Sequence, residues 1–442
     1  MKNSRLLILC SLLFTTILFS CSSTTAPVII PSPSNFSDYV IKGDITTSSV
    51  VKFVVGKTYS LQGFVYVKPG VTLTIEPGVV IKGDLVTKAT LFVEPGAKII
   101  AEGTADMPIV FTSAQDPGKR KSGDWGGVVL LGKAPVNKTP VVVEGENTTQ
   151  FGGSDAADNS GIMKYVRIEF AGIAFETDKE INGLTFGGVG SGTTIDYIQV
   201  SHSGDDSFEW FGGTVNAKHL IAYKGLDDDF DTDNGYSGNV QFGFILRDPV
   251  VADQCSCSDS NGFESDNDAT GSEALPKTKA KFANVTMVMG EGTPDPKFRS
   301  QYRIRRSSEL GIYNSVSTGE WTAKGGLELQ DAVAQNYLDG KMAYLGVFVQ
   351  HAKKPIVSGD ETKLKNAANK NFFTSNPADL KLAAGYNKIS GKPGLIPQAG
   401  SLLLTGGATL PSGFDVTNYV GAFNTTDWTD KWANWDPQNT VY

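Results

Sequence analysis

Histidine and cysteine are scarce in this 442-residue chain, at three and four residues. His202 and His219 fall inside repeated strands and bends, where a packed or hydrogen-bonded ring is the ordinary role, and His351 stands alone. The chain has no Ser-His-Asp elbow, no phosphate-binding loop and no Cys-x-x-Cys pair, so the common signatures of nucleophilic hydrolysis, nucleotide binding and dithiol chemistry are missing. Basic residues are outnumbered, 39 against 47 acids, for a net charge of −8. That balance, with no basic-aromatic surface, argues against nucleic acid and favours cations or neutral ligands. After Phe19 no apolar run is long enough to span a bilayer.

What is present begins with Met1–Arg5, carrying two positive charges, followed by the apolar run Leu6–Phe19 and Leu18-Phe19-Ser20-Cys21. This resembles a bacterial lipoprotein signal peptide, which implies cleavage before Cys21 and lipidation of its thiol. Ser22–Asn35, rich in Ser, Thr and Pro, suits a flexible tether. Cys10 would leave with the signal and Cys21 would carry the lipid, so only Cys255 and Cys257 remain. They read as a disulfide in an exposed loop, since a metal pair would need histidines nearby.

Glycine, at 49 residues, is abundant. From Val40 to Ser113 it punctuates β-branched runs of three to five residues, as in Val67–Ile81 and Leu91–Ala101, which look like successive coils of a right-handed parallel β-helix. Asp116–Asp124 and Gly145–Gly161 read as inserted loops. Matching strands recur at Tyr165–Ile168, Tyr197–Val200, His219–Ala222 and Gln241–Phe244, with further coils at Phe282–Met289 and Ile312–Val316. A short helix is expected within Asp360–Asn376 and a late strand at Ser401–Thr405. Trp428, Trp432 and Trp435 read as a cap on the last open coil. The expected organisation is all-β: a signal peptide over 1–20, a lipidated tether over 21–39, the β-helix over 40–415 and a Trp-rich cap over 416–442.

The most informative stretch is Asp196–Gly235, which says nearly the same thing twice at an offset of 22 residues. Asp205 falls on Asp227, Asp206 on Asp228, Phe208 on Phe230 and Glu209 on Asp231. Ile195–Val215, Leu226–Gly235, Asn261–Asp268 and Tyr302–Arg306 together resemble a large family of Bacteroidota outer-membrane or secreted proteins. That family is itself similar to pectin-lyase-like β-helices and, distantly, to a spirochaete outer-membrane lipoprotein family. The resemblance runs from about Val40 to the C-terminus. It implies the fold and an envelope location, and it brings no activity or catalytic residue.

Extending the repeat predicts five rungs, with Phe208, Phe230, Phe263, Tyr302 and Leu327 pointing inward as one apolar ladder. Glu209, Asp231, Glu264, Arg303 and Glu328 then form an outward column, beside a second of Phe211, Asp233, Asp266, Arg305 and Gln330. Like charges stacked at strand spacing need solvent, opposite charge or a cation. Arg303 and Arg305 are placed to neutralise Glu264, Asp266 and Glu328, whereas no basic residue aligns with Asp205, Asp206 and Asp227–Asp229 on the preceding bend. A Ca²⁺ site is expected there, using Asp205, Asp227 and Asp228 with Asp231 or Asp233.

Two functions compete. The first is a lipid-anchored, non-catalytic binding or scaffold protein of the outer membrane, taking a glycan, with Trp125 or Phe211 as the stacking surface, or another outer-membrane protein. The second is a polysaccharide lyase or hydrolase using Asp205, Asp227, Arg303 and Arg305. Gly204-Asp205-Asp206 and Arg303-Ile304-Arg305 resemble two polygalacturonase elements, but Asn-Thr-Asp and Gly-His-Gly are absent in the expected order. An enzyme needs Asp205, Asp227 and an arginine together in an open groove; a scaffold would show that face paired or covered by the Ala252–Asn261 loop. The residues after Cys21, Ser22-Ser23-Thr24-Thr25, lack the acids of a Bacteroidota surface-export signal, which favours the periplasmic face without deciding it.

Overall fold

Every coil reuses the same solution for burying its strands, and the residues that alternate inward stack on their counterparts one turn away. The computed structural model describes residues 34–442 apart from 37, 140, 144, 145, 147, 177, 178 and 256–258. Cys21, the expected signal peptide and Cys257 therefore lie outside the described residues. Ser34–Tyr442 form one compact unit. Its strands pair in parallel, apart from the hairpin of Ala174–Glu176 with Lys179–Glu180 and the bridge Val142–Gln150, and the architecture is a right-handed parallel β-helix.

One stack of short strands carries the predicted rungs. It runs through Thr90–Val93, Gly127–Leu131, Leu184–Gly187, Phe208–Phe211, Phe230–Asp233, Phe263–Ser265, Ser300–Ile304 and Gly325–Leu329. The register places Phe208, Phe230, Phe263, Tyr302 and Leu327 opposite one another, as the repeat requires. All five are fully buried. Ring centroids of the first four lie 5.6, 5.3 and 5.2 Å apart along the bore. Burying each such side chain contributes about 1.5–3 kcal/mol, so the ladder is a main source of stability.

The opposing wall consists of long strands, Gly161–Glu169, Thr194–Ser201, Asn216–Tyr223, Asn239–Arg247 and Lys281–Met289. Each bends at a residue with left-handed backbone: Tyr165, Tyr197, His219, Phe242 and Asn284. These positions align from coil to coil. A non-glycine residue costs about 1–2 kcal/mol there, and the stacked rings offset it. Tyr165 and Tyr197 lie 4.4 Å apart, Tyr197 and His219 4.1 Å, and His219 and Phe242 4.9 Å.

The C-terminal segment departs from the sequence expectation. Trp428, Trp432 and Trp435 do not cover the last coil; they lie along the flank of the long strands. Trp432 meets the edges of Tyr165 and Tyr197, and Trp428 meets His219. The chain reaches them by running back outside the coils, bound by side-chain amides. Asn314 pairs both ways with Ala408 (2.9 and 2.7 Å), Gln241 with Asp415 (2.9 and 2.8 Å) and Gln199 with Asn434 (2.8 and 2.8 Å). The apolar ends of the last coils are closed instead by the helices Ala332–Leu338 and Glu361–Leu364, whose Val333, Tyr337 and Leu364 join the main core. The second is the helix expected within Asp360–Asn376, with the Asp360 carboxylate accepting from the Lys363 amide at 2.6 Å. The strand expected at Ser401–Thr405 is a 3₁₀ turn over Leu402–Leu404.

Candidate functional site: an acidic ladder on one flank

The outward positions of the rung stack carry the chemistry. Parallel register sets Glu209 opposite Asp231, Asp231 opposite Glu264 and Glu264 opposite Arg303. At the bend that leads into these strands, Asp206 and Asp228 are buried and Asp205 and Asp227 partly so. Side chain and main chain interlock there from coil to coil. The Asp206 carboxylate accepts from the Asp228 amide at 2.8 Å, Asp228 accepts from the Asn261 amide, and Asn261 Oδ1 accepts from the Ser300 amide at 3.3 Å. Bend and rung together form three overlapping groups, each with ligand oxygens within 4.8 Å of one another: Asp205, Asp206 and Asp227; Asp206, Glu209 and Asp231; Asp228, Asp231 and Glu264.

So close a column of carboxylates resists ionisation. Burial, then the neighbouring carboxylates Asp205, Asp228, Glu209 and Asp231, push Asp206 far above its usual range. Burial and Glu264, Asp228 and Asp266 do the same to Asp231. Burial raises Asp228 to about 8, with Asp227 adding to the rise. Glu264 reaches about 7 by burial and the charge of Asp228, despite its arginines. Among the described residues, Asp231 Oδ1 and Oδ1 of Asn182, whose Nδ2 donates to Glu209, are buried acceptors without a hydrogen-bond partner. A buried acceptor left unpaired costs about 1–3 kcal/mol.

Arg303 and Arg305 form their ion pairs at the far end. Arg303 donates to Glu264 at 2.8 Å, and Arg305 pairs with Glu264 and with Asp266, the latter at 2.8 Å. Burial alone would lower Arg305, but Glu264 and Asp266 outweigh it and hold the guanidinium charged. Ser300–Ile304 lies two strands beyond Phe230–Asp233, with Phe263–Ser265 between them, so the Arg303 backbone is roughly 10 Å from that of the Asp231 rung at about 4.8 Å per strand, although its charge still acts on Asp228.

Several sequence assignments need correction. Asp205, Asp227, Asp228, Asp231 and Asp233 do not form one site: Asp205 and Asp227 group with Asp206, Asp228 and Asp231 with Glu264, and Asp233 belongs to none of the three groups. Asp229 is not without a basic partner, because Arg247 meets it at 3.1 Å with both side chains fully buried. Glu328 is paired by Arg299 at 3.1 Å, not by Arg303 or Arg305. Trp125 cannot stack on a glycan: it is inside the bore, with Nε1 donating to the Glu169 carbonyl at 2.8 Å. Phe211 is partly exposed and tilted against Phe151 at 6.4 Å. Cys255 is disulfide-bonded. The Ala252–Asn261 loop borders the acidic bend through Asn261 and through Ser260, whose hydroxyl donates to the Leu226 carbonyl at 2.7 Å.

Asp206, Glu209 and Glu264 belong to the ladder although the expected ligand set omitted them. The 22-residue repeat carried the signal, since Asp206 aligns with Asp228 and Glu209 with Asp231. Arg247 and Asn182 left no such signal, standing in no repeat position that predicts a carboxylate partner.

The comparisons with known proteins agree with this architecture. A model described as a pectate-lyase-like β-helix domain matches residues 43–388. Among solved structures, pectate lyase Pel9A is similar over 81% of this chain and 89% of its own, at 13% identity and a TM-score of 0.36. The Dettilon tailspike protein gp208 is similar over 74% of this chain and 63% of its own, at 11% identity and a TM-score of 0.25. No curated protein matches the chain. On the family match, which spans most of the coils described above, the chain belongs to the pectate-lyase-like β-helix domain family.

Proposed function

We propose that this protein is a lipid-anchored β-helix of the outer membrane that binds without cleaving, and that its acidic ladder holds Ca²⁺. The observation that carries the reading is the split of the flank. Its arginine end is neutralised by ion pairs, while at the other end the main charged neighbours of Asp206 and Asp231 are further carboxylates. Hard divalent cations take several oxygen ligands of this kind. Asp206, Glu209 and Asp231 would hold one ion, and Asp228 with Glu264 supplies the adjoining group. Bound Ca²⁺ would supply positive charge that lets these side chains ionise.

A non-catalytic role is supported by the arginines. A lyase base must be able to give up its proton, and Arg305 is held charged by two carboxylates. The partner is a glycan or an outer-membrane protein seated on the same flank, and the anchor is the lipid on Cys21.

Incubation with polygalacturonate and Ca²⁺ separates the two functions. The binding account predicts no unsaturated product, and an affinity pull-down from solubilised membranes that retains a specific partner only when Ca²⁺ is present. Accumulation of unsaturated uronate product would establish a lyase and overturn the reading.

A further inference from the structure

A second feature lies at the corner where the long strands turn toward the acidic bend. Residues Phe170, His202 and Lys224 occupy that corner in successive coils, all with left-handed backbone. Two segments remote in sequence, Ile389–Gly391 and Trp435–Asn439, come down onto it and enclose a cleft of about 510 Å³ with His202, Tyr223 and Lys224. That volume is within the range of about 300–1,000 Å³ typical of small-ligand sites. The cleft is preformed, because the Tyr223 hydroxyl reaches the carbonyl of Ile389 and that of Trp435, each at 3.1 Å, and so ties both walls to one strand.

The floor holds an imidazole with unused capacity. His202 stacks flat on Phe170 at 5.0 Å and meets Tyr223 edge-on at 5.8 Å, which fixes the plane of the ring. Among the described residues neither ring nitrogen has a hydrogen-bond partner. Burial, and then the charge of Lys224, lower its pKa to about 4, so at neutral pH the ring offers one donor and one acceptor and no charge. Lys224 is paired with Asp248 at 3.3 Å, which leaves the Asp436 carboxylate, accepting from Asn439 Nδ2 at 2.9 Å, as the excess charge of the lining, and Ser390, Gln438 and Asn439 are neutral. Trp435, whose ring meets the buried Tyr223 edge-on at 5.4 Å, borders the cleft with its small exposed part and supplies the apolar side.

We infer that this cleft is a binding site for a neutral saccharide, with His202 hydrogen-bonding its hydroxyls and the Trp435 side of the cleft taking its C–H face. A ligand bearing both donors and acceptors uses a neutral imidazole fully, and the Asp436 carboxylate disfavours an anion. The apolar wall suits the less polar face of a sugar ring. The site is separate from the acidic ladder, so it stands or falls independently of Ca²⁺.

The test is a titration of the full-length protein with cellobiose, lactose and maltose as neutral probes and galacturonic acid as a charged one. Binding is followed by tryptophan emission and by histidine-ring NMR signals, with His202→Phe assigning the resonance. Phenylalanine already occupies left-handed positions at Phe170 and Phe242 and keeps the stacked ring. At least one neutral disaccharide is expected to shift the His202 resonance with a Kd near 1 mM, about −4 kcal/mol. His202→Phe is expected to weaken it at least tenfold while the Tm and the response to Ca²⁺ stay unchanged. Absence of any neutral-sugar response up to about 20 mM, undiminished binding by His202→Phe, or a stronger response to galacturonic acid would each overturn the inference.

Discussion

At the scale of single residues, the governing fact is that burial and like charge together raise the ladder carboxylates. Asp228 is raised to about 8, and Asp233 and Glu264 to about 7, from ordinary values near 4. These groups bind protons in the folded state that they have released in the unfolded state. Stability without metal therefore declines as pH rises from about 4 to about 8, opposite to the usual behaviour of ion-paired carboxylates. Chemical denaturation in chelator at pH 5, 6, 7 and 8 should show a falling midpoint; a midpoint that rises over this range would mean the carboxylates are stabilised as anions. Asp229 and Arg247 give a second prediction. Arg247 lies over the Phe298 ring at 4.9 Å and donates to the Asp227 carbonyl at 2.6 Å, so its charge is wholly enclosed. Asp229→Ala leaves that charge without its counter-ion and should cost about 3–5 kcal/mol in urea unfolding. A loss under 1 kcal/mol would show that the carbonyls suffice.

At the scale of elements, the rungs were legible and the tail was not, for one physical reason. A parallel coil repeats its inward and outward positions at fixed spacing, so Phe208 and Phe230, or Glu209 and Asp231, announce their contact through the 22-residue offset. The tail has no such period. Its partners Asn314 and Gln199 lie 94 and 235 residues from Ala408 and Asn434, and pairs of that kind leave no trace in local pattern. The burial of Trp125 is equally silent in local pattern: a Cβ on Gly83 would lie 2.5 Å from its ring, so a glycine one coil away makes the space that buries it. Trp432 belongs to a separate apolar cluster with Tyr223, Phe244 and Phe423 beneath the tail. Trp432→Ala should lower stability by about 3–5 kcal/mol and speed amide exchange in Ala422–Tyr442. Exchange unchanged in that segment would contradict its role as the flank's fastening.

At the scale of the whole molecule, the acidic ladder lies on the rung stack, and the His202 cleft lies at the edge of the tail-bound flank, where Trp435–Asn439 meets Tyr223. The residues before Ser34 carry the expected anchor, and Cys21→Ser should move the protein from the membrane fraction to the soluble fraction after cell lysis; retention in membranes would remove lipidation from the account. The central claim concerns the ladder, and calorimetric titration with Ca²⁺ at pH 7 on the unmodified protein and on Asp206→Asn/Asp231→Asn tests it most directly. The account predicts heat of binding, proton release and a higher Tm with Ca²⁺ in the unmodified protein. In the double variant, the affinity should fall at least tenfold, about 1.4 kcal/mol or more, while the variant without metal is at least as stable as its parent. No heat and no change in Tm on adding Ca²⁺, or equal affinity in the two proteins, would contradict it.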